Sequence, residues 1–386
     1  MVRRGEEIMQ YKEYHGEQIS SLGFGLMRLP VIDDDQSKID IEKVREMVHY
    51  AVDNGVNYFD TAYVYHNGFS EKAIGQIMEE DHLRDKINIA TKMFTFGANG
   101  PDFDPRKMLD EQLERLRTDH IDFYLLHGLR GELWKTLRDK WDIVKYMNDM
   151  KEQGVLRNIG FSFHDEYDSF KMILDEYDGC DFAQIQYNYV DHEIQAGNKG
   201  IAYAIEKNVP LVIMEPIKGG SLIFPDYPEI DAIKEKYGIG SMSNAELALD
   251  YVWDKKGILT VLSGMGNMDM LKGNVEYASR SSEGMITEDM EKAIAEIRTL
   301  LENTENIPCT GCRYCVDGCP QNIAIPSAFR FYNEGKKYRN PDSQKRMYNR
   351  TCANIADCVE CGACSNICPQ HLEIPELLKE VRAYLG

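Results

Sequence analysis

Cysteine placement constrains the fold of this chain of 386 residues more than any other feature. Nine of the ten cysteines follow residue 305, and eight of those nine form two runs that share the spacing C-x2-C-x2-C-x3-C-P. The first run is Cys309, Cys312, Cys315 and Cys319, and the second is Cys358, Cys361, Cys364 and Cys368. Two such runs indicate sites that bind metal through thiolates. Cys180 and Cys352 fall outside both runs, and we interpret them as ordinary residues.

Zinc sites and disulfides are the alternatives for clustered cysteines. Zinc prefers two separated cysteine pairs, and disulfide frameworks spread their cysteines through a small secreted fold. Neither alternative explains why the same run occurs twice, each time followed by a proline, Pro320 or Pro369. The spacing is that of iron–sulfur ligands, so we expect two [4Fe–4S] clusters. Oxygen-sensitive clusters and unpaired thiols indicate a reducing compartment, which we take to be the cytoplasm.

The two runs resemble the ligand pattern of the bacterial type of two-cluster ferredoxin. In that type, the first three cysteines of a run bind one cluster and the fourth binds the other cluster. The resemblance implies that cluster one is held by Cys309, Cys312, Cys315 and Cys368, and cluster two by Cys358, Cys361, Cys364 and Cys319. The stretch between the runs is predicted to be helical over 327–334 and 344–349, so the resemblance concerns the ligands and not the whole ferredoxin fold.

Upstream of residue 300, short apolar segments alternate with longer amphipathic ones. The predicted strands are 21–25, 57–60, 87–92, 121–127, 158–162, 182–186, 210–214 and 258–262. The predicted helices are 41–54, 70–79, 106–116, 137–153, 166–177, 197–208 and 244–253, and a hairpin over 8–20 precedes the first strand. Alternation of strands and helices indicates a parallel sheet, and eight strands over about 240 residues suit a closed (β/α)8 barrel.

A doubly wound dinucleotide-binding fold is the alternative architecture. It requires G-x-G-x-x-G after its first strand, but Arg28 stands where the third glycine would follow Gly23 and Gly25. We therefore predict an α/β fold: a (β/α)8 TIM barrel over residues 1–300, followed by a small helical domain with two [4Fe–4S] clusters over residues 301–386.

Four polar residues stand at the ends of three adjacent predicted strands, where a barrel of this kind carries its chemistry. Asp60, Lys92 and His127 end the second, third and fourth strands, and Tyr65 follows Asp60 by five residues. Side chains at these ends can converge on one site. Taken singly, each has an ordinary alternative: helix capping for Asp60, packing for Tyr65, and plain strand-end polarity for the other two.

The surrounding residues carry a resemblance to the aldo/keto reductase signature, namely Phe59-Asp60-Thr61-Ala62, Tyr65, Gly68 and Ser70-Glu71. Lys92 and His127 match the family's other two catalytic positions, and the similarity covers about residues 8–300. With the cysteine runs, the chain is similar to the iron–sulfur-containing subfamily of bacteria and archaea. The resemblance implies an oxidoreductase that reduces a carbonyl, or oxidises an alcohol, by hydride transfer from NAD(P)H, while the clusters relay electrons.

The same resemblance assigns a role to each of the four polar residues. Tyr65 is the general acid/base, and Lys92 would lower its pKa from the ordinary value of about 10. Asp60 would hold Lys92 in position, and His127 would orient the carbonyl oxygen beside Tyr65.

The resemblance also places a nicotinamide cofactor across the top of the barrel. The implied contact positions are Ser162, Gln184, Met214, Lys218, Gly264 and Asn274. Ser162 and Gln184 match contacts to the carboxamide, and Asn274 matches a contact to adenine. Met214 replaces the family's stacking aromatic residue, and Lys218 is within reach of a phosphate. The basic pair that usually binds the 2′-phosphate is not evident after the eighth strand, so both NADP(H) and NAD(H) stay open.

FMN is the alternative cofactor. Iron–sulfur clusters pass single electrons, whereas hydride transfer moves two at once. A flavin at the phosphate site after strands seven and eight would connect the two processes. The protein would then be a flavin- and ferredoxin-linked electron-transfer reductase, with a ferredoxin-like or flavoprotein partner.

Charge and composition narrow the partners further. The net charge of −20 argues against nucleic acid, and no apolar run is long enough for a membrane span. The expected substrate is a small carbonyl or alcohol. An apolar pocket, or plain packing, is expected from Met93, Phe94, Phe96 and Trp134. A non-catalytic binding module is a further alternative, against which the intact set of four polar residues argues.

Overall fold

The structure, a computed structural model, describes residues 9–386. Residues 1–8, which begin the predicted barrel domain and include the first residue of the predicted hairpin, lie outside this range. The described chain forms two compact units: one runs to Pro216 and resumes over Glu246–Ile286, and the other comprises Ile217–Ala245 and Thr287–Gly386. The predicted division at residue 300 stays a prediction. Across residues 9–386, no helix has both the length and the apolar character needed to cross a membrane.

A closed barrel of eight parallel strands forms the centre of the first unit. An antiparallel hairpin, β1 (Tyr11–Tyr14) and β2 (Glu17–Ser20), precedes it. The barrel strands are β3 (Leu22–Gly25), β4 (Tyr58–Asp60), β5 (Asn88–Met93), β6 (Ile121–Leu129), β7 (Leu156–Phe163), β8 (Phe182–Gln186), β9 (Leu211–Met214) and β10 (Ile258–Ser263). The barrel closes where β10 pairs with β3. The predicted eight strands and the TIM-barrel fold are confirmed.

Helices follow the strands, as the alternating sequence pattern predicts. Up to residue 279 they are α1 (Ile41–Asp53), α2 (Phe69–Glu80), α3 (Pro105–Leu116), α4 (Gly131–Trp141), α5 (Ile143–Glu152), α6 (Tyr167–Glu176), α7 (Gly197–Glu206), α8 (Pro228–Lys236), α9 (Asn244–Trp253) and α10 (Met268–Ser279). The side chains of Asp40 and Asp104 cap α1 and α3 by accepting backbone N–H groups. The prediction of one helix over 137–153 is wrong, because Asp142 adopts a left-handed φ of 47° and separates α4 from α5.

The interior of the barrel is filled by aromatic and aliphatic side chains. Tyr14 and Ile19 of the hairpin belong to the same buried cluster as Tyr58, Phe123 and Phe182 of the strands. The hairpin therefore covers the amino-terminal end of the barrel. The carboxyl ends of the strands, where Asp60 ends β4, lie at the opposite mouth.

The second unit is helical. Besides α8 it contains α11 (Glu288–Glu302), α12 (Tyr314–Asp317), α13 (Ile325–Lys337), α14 (Asp342–Thr351), α15 (Ala363–Ile367) and α16 (Ile374–Leu385). The helices predicted between the cysteine runs are confirmed and extend further at both ends than predicted. Phe329, Phe331 and Val381 lie in its hydrophobic core, which also includes Cys315 and Cys364. The cysteine loops are thus anchored to this core.

Candidate functional site

A buried ion pair lies at the mouth of the barrel. Lys92 Nζ donates to Asp60 Oδ1 and to the carbonyl oxygen of Thr61, both at 2.6 Å, and the Lys92 and Asp60 side chains are only 1% and 4% exposed. Burial lowers the pKa of Lys92, but Asp60 and Tyr65 together outweigh burial, so the pKa is raised overall and the amine is charged. Burial raises the pKa of Asp60, and Lys92 opposes that rise. The site therefore contains a cation in a fixed position.

Tyr65 begins a strained turn five residues after the end of β4. The three residues that follow it, His66, Asn67 and Gly68, all have positive φ angles of 51°, 55° and 88°, and such a conformation is uncommon outside glycine. The buried His66 side chain stabilises the turn: its Nε2 accepts from the Leu29 N–H at 3.1 Å, and its Nδ1 lies 3.2 Å from the Gln36 carbonyl oxygen. A carbonyl only accepts, so Nδ1 carries the hydrogen and the imidazole is neutral.

The Tyr65 ring lies beside the buried cation, with Lys92 Nζ 4.9 Å from the ring centroid. Burial nevertheless raises the pKa of Tyr65 above 10, and the opposing effect of Lys92 is smaller. The expectation that Lys92 lowers this pKa below its ordinary value is therefore wrong. Removing the phenolate from water destabilises it by more free energy than the nearby ammonium contributes in stabilising it. At neutral pH the phenol is protonated and can donate its proton.

His127, on β6, completes the group. Its ring meets the Tyr65 ring edge-to-face, with the centroids 6.1 Å apart. Burial lowers the pKa of His127 to about 3, and the charges of Lys92 and His164 add to this effect. The imidazole is therefore neutral at physiological pH, with one N–H to donate. His127 Nδ1 is buried and has no hydrogen-bond partner within residues 9–386, so a bound molecule could supply one.

Aromatic rings border the site next to His127. The Phe96 ring is 53% exposed, and its centroid lies 5.8 Å from that of His127 and 5.5 Å from that of Phe94. A Cβ atom on Gly128 would lie 2.7 Å from Phe96 Cζ, so glycine makes room for the ring. Trp134, by contrast, is buried in the core and donates its indole N–H to Glu176. Met93 is also fully buried.

Ser162, the last residue but one of β7, pairs in register with Gln184, the middle residue of β8. Gln184 Nε2 is 3.7 Å from Met214 Sδ, while its Oε1 is buried without a hydrogen-bond partner in the described part of the chain. Ser162 Oγ accepts from the Gly128 N–H at 2.8 Å, which leaves its hydroxyl hydrogen for a ligand. A buried amide oxygen in need of a donor fits the carboxamide N–H2 of a nicotinamide ring. These residues fit a nicotinamide cofactor.

Two further predicted contacts follow β10, Gly264 in the loop and Asn274 on α10. Asn274 Nδ2 donates to Ser263 Oγ at 2.8 Å, and a Cβ atom on Gly264 would lie 3.0 Å from Arg28 Cδ. Arg28 also lies here, although from the sequence it was notable only because it interrupts a glycine motif. Arg28 follows the first barrel strand, and the first and last strands are neighbours in a closed barrel. Its position in the sequence therefore indicated that it would lie near the loop after β10. Lys218 belongs to the second unit, where its Nζ lies 3.8 Å from Glu334 Oε2, and its cofactor contact stays a prediction.

The eight motif cysteines line two cavities of similar size in the second unit. A cavity of about 330 Å³ is lined by Cys309, Cys312, Cys315 and Cys368. Another, of about 340 Å³, is lined by Cys319, Cys358, Cys361 and Cys364. Each cavity thus combines three cysteines of one run with the fourth of the other, and Gly311 and Gly362, both at φ 72°, occupy equivalent turns in the two loops. Four thiols around each cavity are the donor set of a [4Fe–4S] cluster.

Comparison with known protein families agrees with both halves of this description. A model of the aldo/keto reductase family matches residues 21–295. The chain belongs to the aldo/keto reductase family. A model of a 4Fe-4S dicluster domain matches residues 308–372. The protein is therefore an oxidoreductase of the aldo/keto reductase type with a C-terminal iron–sulfur domain.

Individual proteins match about three quarters of the chain. L-galactose dehydrogenase of Arabidopsis thaliana is 27% identical over 315 residues, which are 76% of this chain and 93% of that protein. The solved structure of aldo-keto reductase AKR11C1 from Bacillus halodurans has a TM-score of 0.59 and 24% identity, over 75% of this chain and 96% of that one. An aldo/keto reductase from Klebsiella pneumoniae in complex with NADP and acetate has a TM-score of 0.60 and 18% identity, over the same shares.

Proposed function

We propose that this aldo/keto reductase reduces a small carbonyl compound to an alcohol with NAD(P)H, and that it catalyses the reverse reaction when the alcohol is in excess. The observation that carries the proposal is the convergence of Asp60, Tyr65, Lys92 and His127 from three adjacent strands, with Lys92 Nζ 2.6 Å from Asp60 and 4.9 Å from the Tyr65 ring centroid. Solved relatives in complex with NADP support the choice of cofactor.

Each side chain has one task in this proposal. A bound nicotinamide supplies the hydride to the carbonyl carbon. Tyr65 donates its proton to the carbonyl oxygen, and Lys92 stabilises the phenolate that remains. The neutral His127 donates an N–H to the same oxygen and orients it. Asp60 fixes Lys92 in place. The raised pKa of Tyr65 keeps the phenol protonated at neutral pH, which favours the direction of carbonyl reduction.

The proposed cofactor contacts are those at the barrel mouth. Gln184 Oε1 would accept from the carboxamide, Ser162 would donate to it, and Met214 would pack against the ring. Gly264 lies in the loop after β10 and Asn274 on α10. Arg28, which approaches Gly264 and pairs with Glu215 at 3.8 Å, would contact a phosphate there. FMN stays an alternative prediction, since none of the contacts seen over residues 9–386 favours a flavin over a nicotinamide.

We also propose that the two cysteine-lined cavities hold the [4Fe–4S] clusters with exchanged fourth ligands. Cys368 would bind cluster one and Cys319 would bind cluster two, in agreement with the lining of the two cavities. The clusters supply one-electron transfer when bound. The eight thiols hold the clusters as thiolates, and the core beneath Cys315 and Cys364 keeps both loops in place.

The test is carbonyl reduction by anaerobically purified holoenzyme. NADPH and NADH would each be tried with a panel of small aldehydes and ketones, and the active pair used for Tyr65→Phe. Removing the general acid should lower kcat by about 100-fold or more. Tyr63→Phe is the matched control, because Tyr63 lies two residues away and its hydroxyl donates to Glu111 instead. A Tyr65→Phe enzyme as fast as the wild type would refute the proposed role.

A further inference from the structure

A polar groove opens beside the cavity of cluster one. It has a volume of about 1030 Å³ and is lined by Cys309, Thr310, Ser327, Arg330, Asn333 and Lys337, among others. Cys309 also lines the 330 Å³ cavity proposed for cluster one. A proposed ligand of that cluster, Cys309, therefore forms part of the groove wall. Nothing in the proposed carbonyl chemistry uses this groove.

The groove carries positive charge within an acidic protein. Arg330 and Lys337 both lie on α13, seven residues apart and so on one face of the helix, and neither forms an ion pair with a carboxylate in the described chain. The acidic residue of the groove, Glu334, pairs with Lys218. Over residues 309–350 there are eight Lys and Arg against three Asp and Glu, although the whole chain has a net charge of −20. The local charge is thus opposite to the overall charge.

The spacing of the two cations indicates a large ligand. Seven residues of helix correspond to about 10 Å, so Arg330 and Lys337 present two separated positive charges along the groove. The chain that follows Gly311 of the groove is exposed as well: Cys312 and Arg313, which line the cavity of cluster one, are exposed, and the next residue, Tyr314, is 55% exposed. An exposed aromatic residue among cations is typical of a surface that binds a protein. A partner with spaced acidic groups matches these features.

We propose that this groove docks an acidic one-electron carrier protein of the ferredoxin or flavodoxin class, and that the electron passes through cluster one. The reduced carrier loses one electron and cluster one gains it, with no bond or proton exchanged. Encounters of this kind bury little surface and depend on complementary charge for their rate. The proposal rests on the ligands assigned to cluster one above.

Binding of a carrier to the full holoenzyme tests the proposal directly. The probe is an oxidised plant-type [2Fe–2S] ferredoxin of low isoelectric point, and its affinity is measured by surface plasmon resonance at several salt concentrations. The double variant Arg330→Glu/Lys337→Glu should weaken binding by about 10-fold or more at low salt. The matched control is Lys379→Glu/Arg382→Glu, which makes the same charge change on α16. It should change affinity by less than about twofold, and salt should weaken wild-type binding.

Stopped-flow reduction of the clusters by reduced ferredoxin provides a second readout. The groove variant should slow the second-order phase by about the same factor as its loss in affinity, while reduction by dithionite stays unchanged. Equal effects of the two double variants, or binding that is independent of salt, would overturn the docking site. Iron and sulfide analysis separates this outcome from failure of the proposed function: protein without iron refutes the clusters, whereas iron-loaded protein with unselective binding refutes only the groove.

Discussion

Replacing Lys92 with Met removes one partner of the most deeply buried ion pair at the barrel mouth. Asp60 then keeps its charge without a donor at Oδ1, and its Oδ2 already has no hydrogen-bond partner within the described residues. Breaking a buried pair by removing one partner costs about 3–5 kcal/mol. Met has nearly the volume of Lys, so little of this loss would come from packing. We expect Lys92→Met to lower the free energy of unfolding by about 3–5 kcal/mol at pH 8.

The loss should shrink in acid. Burial raises the pKa of Asp60, and Lys92 opposes that rise, so the variant has a still higher folded-state pKa. A raised folded-state pKa means that the folded protein takes up the proton before the unfolded chain does, since the unfolded value is about 3.9. The variant should therefore gain stability relative to the wild type as the pH falls from 8 toward 5. The double variant Asp60→Asn/Lys92→Met leaves no buried charge without a partner, so it should be more stable than Lys92→Met at pH 8.

Urea unfolding followed by tryptophan fluorescence is the appropriate assay. All three tryptophans, Trp134, Trp141 and Trp253, belong to the first unit and report on the barrel. Lys145→Met is the matched control, because Lys145 pairs with Asp149 on the exposed face of α5 and such pairs contribute little. A Lys92→Met loss no larger than that of Lys145→Met, or a double variant no more stable than Lys92→Met, would refute the reasoning.

Three further predictions concern the site and the clusters. First, kcat/KM for carbonyl reduction should show no titration between pH 5 and 9, because the pKa of His127 is about 3 and that of Tyr65 is raised above 10; a midpoint near 6.5 would contradict this. Second, the electron paramagnetic resonance spectrum of the dithionite-reduced enzyme should lose the same cluster signal in Cys368→Ser as in Cys309→Ser. Loss of the signal that Cys358→Ser removes would contradict the exchanged ligands. Third, Gly128→Ala should lower the free energy of unfolding by about 1–2 kcal/mol because its φ is 63°. The loss should be smaller in a Phe96→Ala background, where the 2.7 Å contact is absent, and equal losses would contradict the contact.

Strand order and strand ends could be read from the sequence because a closed parallel barrel brings consecutive strand ends together. Asp60, Lys92 and His127 are consequently adjacent in space although they are far apart in the chain. The exchange of the fourth cysteine between the two cavities was implied by the resemblance to two-cluster ferredoxins, on a ligand spacing that occurs twice. In each instance a periodic pattern and a known topology were enough to place side chains.

Properties that depend on burial could not be predicted from the sequence pattern. The pKa of Tyr65 is decided by desolvation, and desolvation depends on every element around the ring rather than on Lys92 alone. The end of α4 at Asp142 depends on one left-handed residue that no pattern marks. The approach of Arg28 to Gly264 was not predicted, because it depends on the pairing of the last strand with the first, which brings together residues far apart in the chain.

The order of the two units along the chain has a consequence for synthesis on the ribosome. The segment Ile217–Ala245 emerges before β10, yet Lys236 and Tyr237 from this segment bind Glu296 of α11, which emerges later. Domains tend to fold as their residues leave the ribosome. The last barrel strand is therefore synthesised before α11, which the segment containing α8 contacts in the folded protein. Once residues up to about 290 have left the ribosome, the nascent chain holds every strand of the barrel while the apolar side of α8 is still exposed, so chaperone protection would be useful at that stage.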